Sequence, residues 1–360
     1  MVLFVVVTLI QLLYWWLVFA RLAFHRAHVP DGQNTEEPVS VVICARNEAT
    51  NLRRHLPRIL SQKDRSLNVT VVNDHSSDET SNVLADFRQR HPTLATVELT
   101  TPTAAGKKTA LAAGIRASEH DLLLLTDADC APATPQWAAR MTQHFADERT
   151  EIVLGYGPYY RLPGWLNRFV RFETVWTAVQ YLSFALVGLP YMGVGRNLAY
   201  RKRLFERADG FAKHDDLPSG DDDLFINAVA RGGNVRVELS PESVVHSDPK
   251  TTWRSWLRQK SRHLTTGTRY RFIHQILLGS YTVTHLLHFA AAAWLLTNGH
   301  FALVGWGVGI RWLSLWFIGA LVCRRLRESD LIPFLPLFDL ALLAYYFFMG
   351  TIPFRQRKNW

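Results

Sequence analysis

Apolar residues are concentrated at the two ends of this chain, while the middle alternates short apolar runs with amphipathic segments. Residues 1–20 carry no charged side chain and are long enough to cross a bilayer, which needs about 20 residues. Three further apolar stretches lie near the C-terminus, at 276–296, 301–322 and 331–354. This pattern predicts three regions: an N-terminal transmembrane anchor at 1–23, a polar domain at 24–275 and a membrane region of two to three helices at 276–360.

The polar middle predicts strands that alternate with helices. The predicted strands lie at 39–44, 69–73, 95–99 and 121–126, and the helices between them at 49–60, 78–90 and 107–117. Such alternation is typical of parallel βαβ units, so we predict an α/β fold with an open sheet. Because ligands of these sheets bind at the carboxyl ends of the strands, the residues directly after each strand are the candidates for function.

Charged residues beside and within the apolar stretches bear on membrane topology. Arg21, His25 and Arg26 follow the first stretch, which favours a retained anchor over a cleaved signal peptide and places the polar domain in the cytoplasm, at the cytoplasmic (inner) membrane. Arg311 and Asp339 lie inside the last two stretches. Either charge would be costly against lipid, so we expect each to face protein, water or headgroups. Pro333, Pro336 and Asp339 lie in the final stretch, which either crosses the membrane or is re-entrant or interfacial.

Composition narrows the classes of function. Lys and Arg number 40 against 31 Asp and Glu, a formal charge of +9. Since no nucleic-acid-binding motif is visible, we expect this charge to meet anionic lipid or a phosphorylated substrate, and not nucleic acid. The three cysteines are scattered and form no C-x-x-C motif, which excludes a disulfide framework and a cysteine-based zinc site.

Acidic residues follow three of the predicted strands. Glu48 comes shortly after the first strand, Asp74 follows the second, and Asp127 and Asp129 follow the fourth. The fourth strand is apolar enough to be buried, so its end presents carboxylates at the edge of a central strand. Hard oxygen ligands there suit Mg²⁺ or Mn²⁺ that bridges phosphates. Asp78, in contrast, is expected to cap the helix that it precedes.

Two further motifs supply charge. The G-K-K run at 106–108 opens a helix but lacks the other residues of a Walker A loop, so we expect Lys107 to approach a diphosphate outside any P-loop. The run Asp221–Asp223 precedes a predicted helix, for which one carboxylate suffices as a cap. Mutual repulsion predicts that at least one of the three has a raised pKa or lies beside a cation. The surplus indicates a general base.

A tryptophan-rich amphipathic helix is predicted directly before the C-terminal membrane region. It ends in the sequence Q-K-S-R-H at 259–263, and its aromatic and basic residues suit the headgroup region of a membrane. Between the two acidic clusters, the apolar, glycine-rich run at 186–195 suits a loop that shapes the entrance for an acceptor.

Six motifs in this order carry a family resemblance: V-S-V-V-I-C-A-R-N-E, V-V-N-D-H-S-S-D, G-K-K, T-D-A-D, G-D-D-D and Q-K-S-R-H. They resemble the inverting glycosyltransferases of family 2, which have a GT-A (Rossmann-like) fold. With apolar helices on both sides, the chain is most similar to ceramide glucosyltransferases and to hyaluronan- and cellulose-synthase-like membrane enzymes. The resemblance implies that Glu48 and Asp74 hold the ribose and uracil of a UDP-sugar and that Lys107 approaches its diphosphate.

The same resemblance implies that Asp127 and Asp129 hold the nucleotide and the metal, with Asp129 as the direct ligand. It places the base on Asp222 or Asp223, with Asp222 favoured when the motif is aligned from its glycine. Gln259 and Arg262 match the family's Q-x-x-R-W motif, in which the arginine contacts the diphosphate. His263 replaces the tryptophan of that motif. This replacement and the small number of C-terminal apolar stretches favour a single transfer over processive synthesis.

The sequence therefore predicts a multi-pass, membrane-bound inverting glycosyltransferase. It would move a sugar from a UDP-sugar to a hydroxyl of a lipid or polyprenyl-linked acceptor, with Mg²⁺ or Mn²⁺. A processive polysaccharide synthase is the nearest alternative, and a non-catalytic, membrane-anchored nucleotide-sugar-binding protein is the alternative from another class. A sugar nucleotidyltransferase is excluded, because the glycine-rich N-terminal loop with Arg or Lys that it needs is missing.

Overall fold

The computed structural model describes residues 1–26, 37–63, 67–100, 106–214, 216–217, 219–263 and 265–350. The chain divides into two compact units. The sheet unit comprises Ala27–Arg161 and Gly188–Lys250, and the helical unit comprises Met1–Arg26, Leu162–Val187 and Thr251–Trp360. The domain boundaries expected after residues 23 and 275 stay a prediction.

The described residues of the sheet unit form nine strands. In chain order they are β1 (Val39–Ala45), β2 (Leu67–Asp74), β3 (Leu94–Leu99), β4 (Leu122–Asp127), β5 (Cys130–Pro132), β6 (Ile152–Leu154), β7 (Leu198–Arg201), β8 (Val235–Val237) and β9 (Val245–Ser247). Seven form one sheet in the order β3-β2-β1-β4-β7-β6-β8, and β5 pairs with β9. The first four strands are parallel, as predicted. β7 runs antiparallel to both of its neighbours, which the sequence had not indicated.

Helices on this sheet follow from apolar side chains at helical spacing. They are Ala49–Leu60, Thr80–Arg90, Lys107–Ala117, Trp137–Thr142, Lys202–Arg207 and Asp223–Val229. The first buries Leu52, Leu56 and Ile59, spaced by four and three residues, so one face of the helix meets the core. In β4, Leu122 to Leu125 are all buried, as expected of a central strand covered on both faces.

The helical unit contains the long apolar helices. Its helices are Val2–Ala23, Trp165–Leu186, Trp253–His263, Phe272–Thr297, Phe301–Arg325 and Leu335–Gly350. Four segments are long and apolar enough to cross a membrane: Val2–Ala23, Phe272–Thr297, Phe301–Arg325 and Ser329–Phe348. The last begins with a 3₁₀ turn at Ser329–Phe334, and the end of the stretch predicted to reach residue 354 lies outside the described residues. The helix Trp165–Leu186 had not been predicted.

A buried polar network ties the apolar helices together. Arg311 Nη1 and Nη2 donate to the two carboxylate oxygens of Asp339, at 2.6 and 3.0 Å. Arg311 also donates to Gln11 Oε1 at 3.3 Å and to His285 Nδ1 at 2.8 Å, and Trp312 Nε1 donates to Asp339 at 3.1 Å. Arg311 and Asp339 were each expected to face protein, water or headgroups. Both face protein, since each is the ion-pair partner of the other.

Candidate active site

The carboxyl edge of the large sheet carries the predicted acidic residues. From β1 the chain proceeds to β2 and β3 on one side and returns to β4 on the other. β1 and β4 therefore meet at a topological switch point, where ligands of such sheets bind. Asp127 ends β4 opposite Cys44 of β1, and Asp74 ends β2. The fold thus brings to one edge the carboxylates that the sequence predicted there.

Asp127 and Asp129 form the candidate metal site. Together with Cys130 they offer three ligand atoms within 4.8 Å of one another. The Cys130 thiol donates to Asp129 Oδ1 at 3.3 Å, and burial raises its pKa well above the ordinary value, so it stays protonated and is a poor ligand. Burial, and then the charge of Asp127, raise the pKa of Asp129. Two carboxylates that repel each other in a partly buried place fit a hard divalent cation.

Lys107 joins this site to the acidic run at 221–223. Its Nζ lies 2.9 Å from Asp127 Oδ1 and 3.2 Å from Asp221 Oδ2. The helix that Lys107 opens is packed tightly on the sheet, since a Cβ at Gly114 would lie 2.7 Å from Val42 Cγ1. Lys107 is therefore held between two carboxylates, and the expected cation beside the acidic run is present.

The carboxyl group of Asp222 is buried beside two other carboxylates. Burial, together with the charges of Asp221 and Asp223, raises its pKa to about 7. Its Oδ2 accepts from the Gly195 N–H at 2.8 Å, and its Oδ1 accepts from the Asp223 N–H at 2.8 Å. A carboxyl group whose pKa lies near neutral pH, held in place by two backbone donors, is suited to accept a proton from a substrate.

The two neighbours of Asp222 are engaged differently. Asp221 pairs with Lys107, while Asp223 Oδ1 accepts from the Leu224 N–H at 2.7 Å. Asp222 is also the cap of the helix Asp223–Val229, so the capping role and the candidate base fall on one residue. The sequence left Asp222 and Asp223 open as the base, and the geometry favours Asp222.

Glu48 and Asp74 lie in the loops that follow β1 and β2. The Glu48 N–H donates to Thr80 Oγ1 at 2.9 Å, and its carboxylate accepts from Asn51 Nδ2 at 2.5 Å. Burial is the main cause that raises the pKa of Glu48. Asp74 is buried, and its Oδ1 lies 2.6 Å from His75 Nδ1. Both carboxylates are thus fixed by neighbouring residues, as pre-organised binding groups need to be.

Hydrogen bonds between these two loops give them their shape. Asn47, which the sequence reading passed over, adopts a left-handed φ of 57° and accepts from the Ser77 N–H at 2.8 Å. Asp78 accepts from the Thr80 N–H at 2.9 Å and from the Ala49 N–H at 3.2 Å, but the N-cap position of the helix Thr80–Arg90 is Glu79, one residue after the predicted cap. An asparagine two residues after a strand was the signal that could have identified Asn47, since asparagine adopts the left-handed conformation more readily than most residues.

The predicted Q-x-x-R residues lie on the helix Trp253–His263 of the helical unit. Gln259 is half-buried, while the side chain of Arg262 lies outside the described part of the structure. Lys260 of the same helix forms an ion pair with Glu173 in which both side chains are largely buried. This pair fixes the helix to Trp165–Leu186, and the contact of Gln259 and Arg262 with a donor stays a prediction.

Comparisons with known proteins agree with this arrangement. Residues 40–208 match the family model described as glycosyl transferase family 2. The chain carries a glycosyltransferase family 2 domain. A curated relative, "Probable glycosyltransferase YdaM" of Bacillus subtilis (strain 168), is 29% identical over 234 residues, which are 62% of this chain and 54% of that protein. The chain thus spans about half the length of the curated relative that it matches.

A solved structure shows the same fold. It is the mannosyltransferase PcManGT from Pyrobaculum calidifontis in complex with GDP-Man and Mn²⁺, with 19% identity and a TM-score of 0.60 over 96% of this chain and 98% of that one. This likeness and the family match confirm the predicted α/β, GT-A architecture of the family 2 domain. The matched family model and the curated relative are both described as glycosyltransferases, which agrees with the predicted class of enzyme.

Arg196 is a residue of the sheet unit that the sequence reading missed. It directly follows Gly195, the backbone donor to Asp222, and its guanidinium carbon lies 4.4 Å from the centre of the Tyr159 ring. Its positive charge acts on Asp127 and Asp129, so it lies beside the candidate metal site. A lone arginine at the end of an apolar, glycine-rich run was the available signal.

Proposed function

We propose that this protein is an inverting glycosyltransferase that moves a sugar from a UDP-sugar to a hydroxyl of a lipid or polyprenyl-linked acceptor, with Mg²⁺ or Mn²⁺. The observation that carries the proposal is the position of Lys107, which lies within ion-pair distance of both Asp127 and Asp221. It links the carboxylates suited to a metal with the acidic run that contains the candidate base. A nucleotide-sugar diphosphate and an acceptor hydroxyl could therefore be handled in one site.

The proposed chemistry assigns a role to each group. Asp222 takes the proton of the acceptor hydroxyl, whose oxygen then forms a bond to the anomeric carbon as the bond to the diphosphate breaks on the opposite face. Asp127 and Asp129 would hold the divalent cation, which supplies positive charge for the departing diphosphate. Glu48 and Asp74 would bind the ribose and base of the nucleotide. Gln259 and Arg262 are assigned to donor binding on the basis of their motif alone.

The acceptor is proposed from the helical unit. Four of its segments are long and apolar enough to cross a membrane, so the protein can meet an acceptor dissolved in the bilayer. Basic residues lie at or just after the C-terminal ends of the first and third of these segments, at Arg21, Arg26, Arg324, Arg325 and Arg327. By the positive-inside rule both ends lie on the cytoplasmic side, which supports a multi-pass protein of the cytoplasmic membrane with its family 2 domain in the cytoplasm.

The test is release of nucleoside diphosphate by the full-length, detergent-purified protein, with a panel of UDP- and GDP-sugars and with or without a total lipid extract. We expect UDP release from one UDP-sugar, stimulated by lipid, lost in EDTA and restored by Mn²⁺ or Mg²⁺. Release from GDP-mannose alone would overturn the uridine assignment. Stimulation by free sugars but not by lipid would overturn the lipid acceptor, and long polymeric products would indicate a processive synthase.

A variant of the candidate metal site sharpens this test. Asp129→Asn removes one of two hard oxygen ligands, and we expect UDP release to fall by about 100-fold. The matched control is Asp86→Asn, a substitution of an exposed aspartate whose partner is Arg90 on the same helix, and it should leave the rate unchanged. An Asp129→Asn protein that stays fully active and sensitive to EDTA would place the metal elsewhere.

The rate should depend on pH through Asp222. The base acts in its deprotonated form, and its pKa is raised to about 7, so kcat/KM should fall as the pH drops below neutrality. We expect a midpoint near pH 7 and a loss of about tenfold per pH unit below it, whereas an ordinary aspartate would lose activity only near pH 4. The measurement is a profile of kcat/KM between about pH 5 and pH 9, a range that extends to both sides of the pKa of a base that acts near neutral pH. A kcat/KM that stays level from neutral pH down to about pH 5 would exclude Asp222 as a base with a raised pKa.

A further inference from the structure

We propose that Arg196 binds the diphosphate of the donor, an inference that rests on the proposed function and adds to it a residue that the family's motifs did not indicate. The first observation is its hydrogen bonding. Arg196 Nη1 is buried and has no hydrogen-bond partner among the residues that the structure describes. A buried donor that stays unpaired is destabilising, and the loss is larger for a charged group. A phosphate oxygen of the bound donor could accept a hydrogen bond from Nη1 and so remove this destabilisation.

The second observation is how firmly Arg196 is held. Its guanidinium lies over the Tyr159 ring, and its stem passes Gly157, where an added Cβ would lie 3.4 Å from Arg196 Cβ. The next residue, Asn197, donates to the carbonyls of Tyr156 and Ser243 at 2.9 and 2.8 Å, and it accepts from a buried tryptophan. Arg196 is thus pre-organised, so little rotamer entropy is lost when it binds a ligand.

The third observation is the arrangement of charge. Lys107 already lies between Asp127 and Asp221. The charge of Arg196 interacts with the charges of Asp127 and Asp129, and its Nη1 has no hydrogen-bond partner among the described residues. A cation held by Asp127 and Asp129 would add a second positive group near Arg196. An anion with several oxygens suits two such groups. A planar guanidinium matches the oxygens of a phosphoryl group, which a lysine does less well.

The position of Arg196 also connects it to the base. The Gly195 N–H holds Asp222 Oδ2 at 2.8 Å, and Arg196 follows in the chain. Because Gly195 and Arg196 are adjacent in the chain, a diphosphate held by Arg196 would have a fixed position relative to Asp222, the proposed base. Such coupling favours attack from the face opposite the leaving group.

The test compares ligands that differ only in phosphate. Binding of UDP, GDP and uridine is measured by calorimetry with full-length protein in Mn²⁺, for the wild type and for Arg196→Met. We expect affinity for UDP to fall by about 10- to 100-fold, as for the loss of a hydrogen bond to a charged group, and affinity for uridine to change by less than about twofold. Arg196→Lys should fall between these limits, because it keeps the charge but not the paired donors.

Arg54→Met is the matched control. Arg54 also lies over a tyrosine ring of the sheet unit, 5.9 Å from the centre of Tyr160, but it is exposed and pairs with Asp248 at 2.9 Å. It should bind UDP as the wild type does. Wild-type affinity for UDP in Arg196→Met, or an equal loss of UDP and uridine, would overturn the inference. If the wild type binds neither UDP nor GDP, the proposed donor fails; if it binds GDP only, the same comparison is made with GDP.

Discussion

Replacing Asp222 by asparagine is expected to lower kcat for sugar transfer by about 10²- to 10⁴-fold, the range that a general base contributes. The amide cannot take a proton from the acceptor at neutral pH. Its oxygen can still accept from the Asp223 N–H, and asparagine is a good helix cap, so the fold should persist. The affinity for UDP should change by less than about threefold, because the effect is confined to the transition state.

A variant of the neighbouring Asp223 supplies the comparison. Asp223 holds the Leu224 N–H, and Asp223→Asn, which keeps an acceptor there, should lower kcat by less than about tenfold. Rates are measured as single turnovers with saturating donor, and circular dichroism verifies that each variant is folded. An active Asp222→Asn enzyme, or a larger loss in Asp223→Asn, would transfer the role to Asp223.

The second large effect is expected in the helical unit. Arg311→Leu should lower the free energy of unfolding in detergent by about 3–5 kcal/mol, because it leaves the buried carboxylate of Asp339 without its partner. The double variant R311L/D339L should recover most of that loss, since two apolar side chains replace both charges. The recovery distinguishes a charge left unpaired from a mere loss of packing.

The groups that remain around Asp339 do not replace the guanidinium: Trp312 Nε1 donates one neutral hydrogen bond, and His285 Nδ1 lies 3.7 Å from the carboxylate. The side chains of Arg311 and Asp339 are almost fully buried, and lipid offers no hydrogen bonds to a charge released from the protein. Unfolding of the single and double variants is followed by tryptophan fluorescence in a denaturing detergent. Arg53→Leu is the control, since Arg53 forms an exposed ion pair with Glu79 of a kind that contributes about 0–1 kcal/mol. A double variant as unstable as the single one would contradict the pairing argument.

Much of the fold could be predicted because its signals are local. β1 was predicted at 39–44 and extends over Val39–Ala45, and β4 was predicted at 121–126 and extends over Leu122–Asp127. The helices Ala49–Leu60 and Lys107–Ala117 begin and end where the apolar spacing placed them. The spacing of apolar residues, the turn residues and the length of an apolar run are properties of neighbouring residues, so they can be recognised in a single sequence.

Elements that depend on distant partners were missed. β5 and β9 are three residues each and pair across more than a hundred residues of chain. The antiparallel direction of β7 is set by the strands on either side of it. The helix Trp165–Leu186 is buried on several faces, so its apolar residues show no clear amphipathic period.

By itself the sequence determined the α/β order of the family 2 domain, the acidic residues at the strand ends, the crowding of charge at 221–223 and the apolar segments. Tertiary structure alone decided that Lys107 would lie between Asp127 and Asp221, that Asp222 would be the carboxylate held by Gly195, and that Arg311 would meet Asp339. The difference is physical. Strand and helix patterns arise from neighbours along the chain, whereas pKa values and ion pairs depend on burial and on charges that only folding brings within a few ångströms.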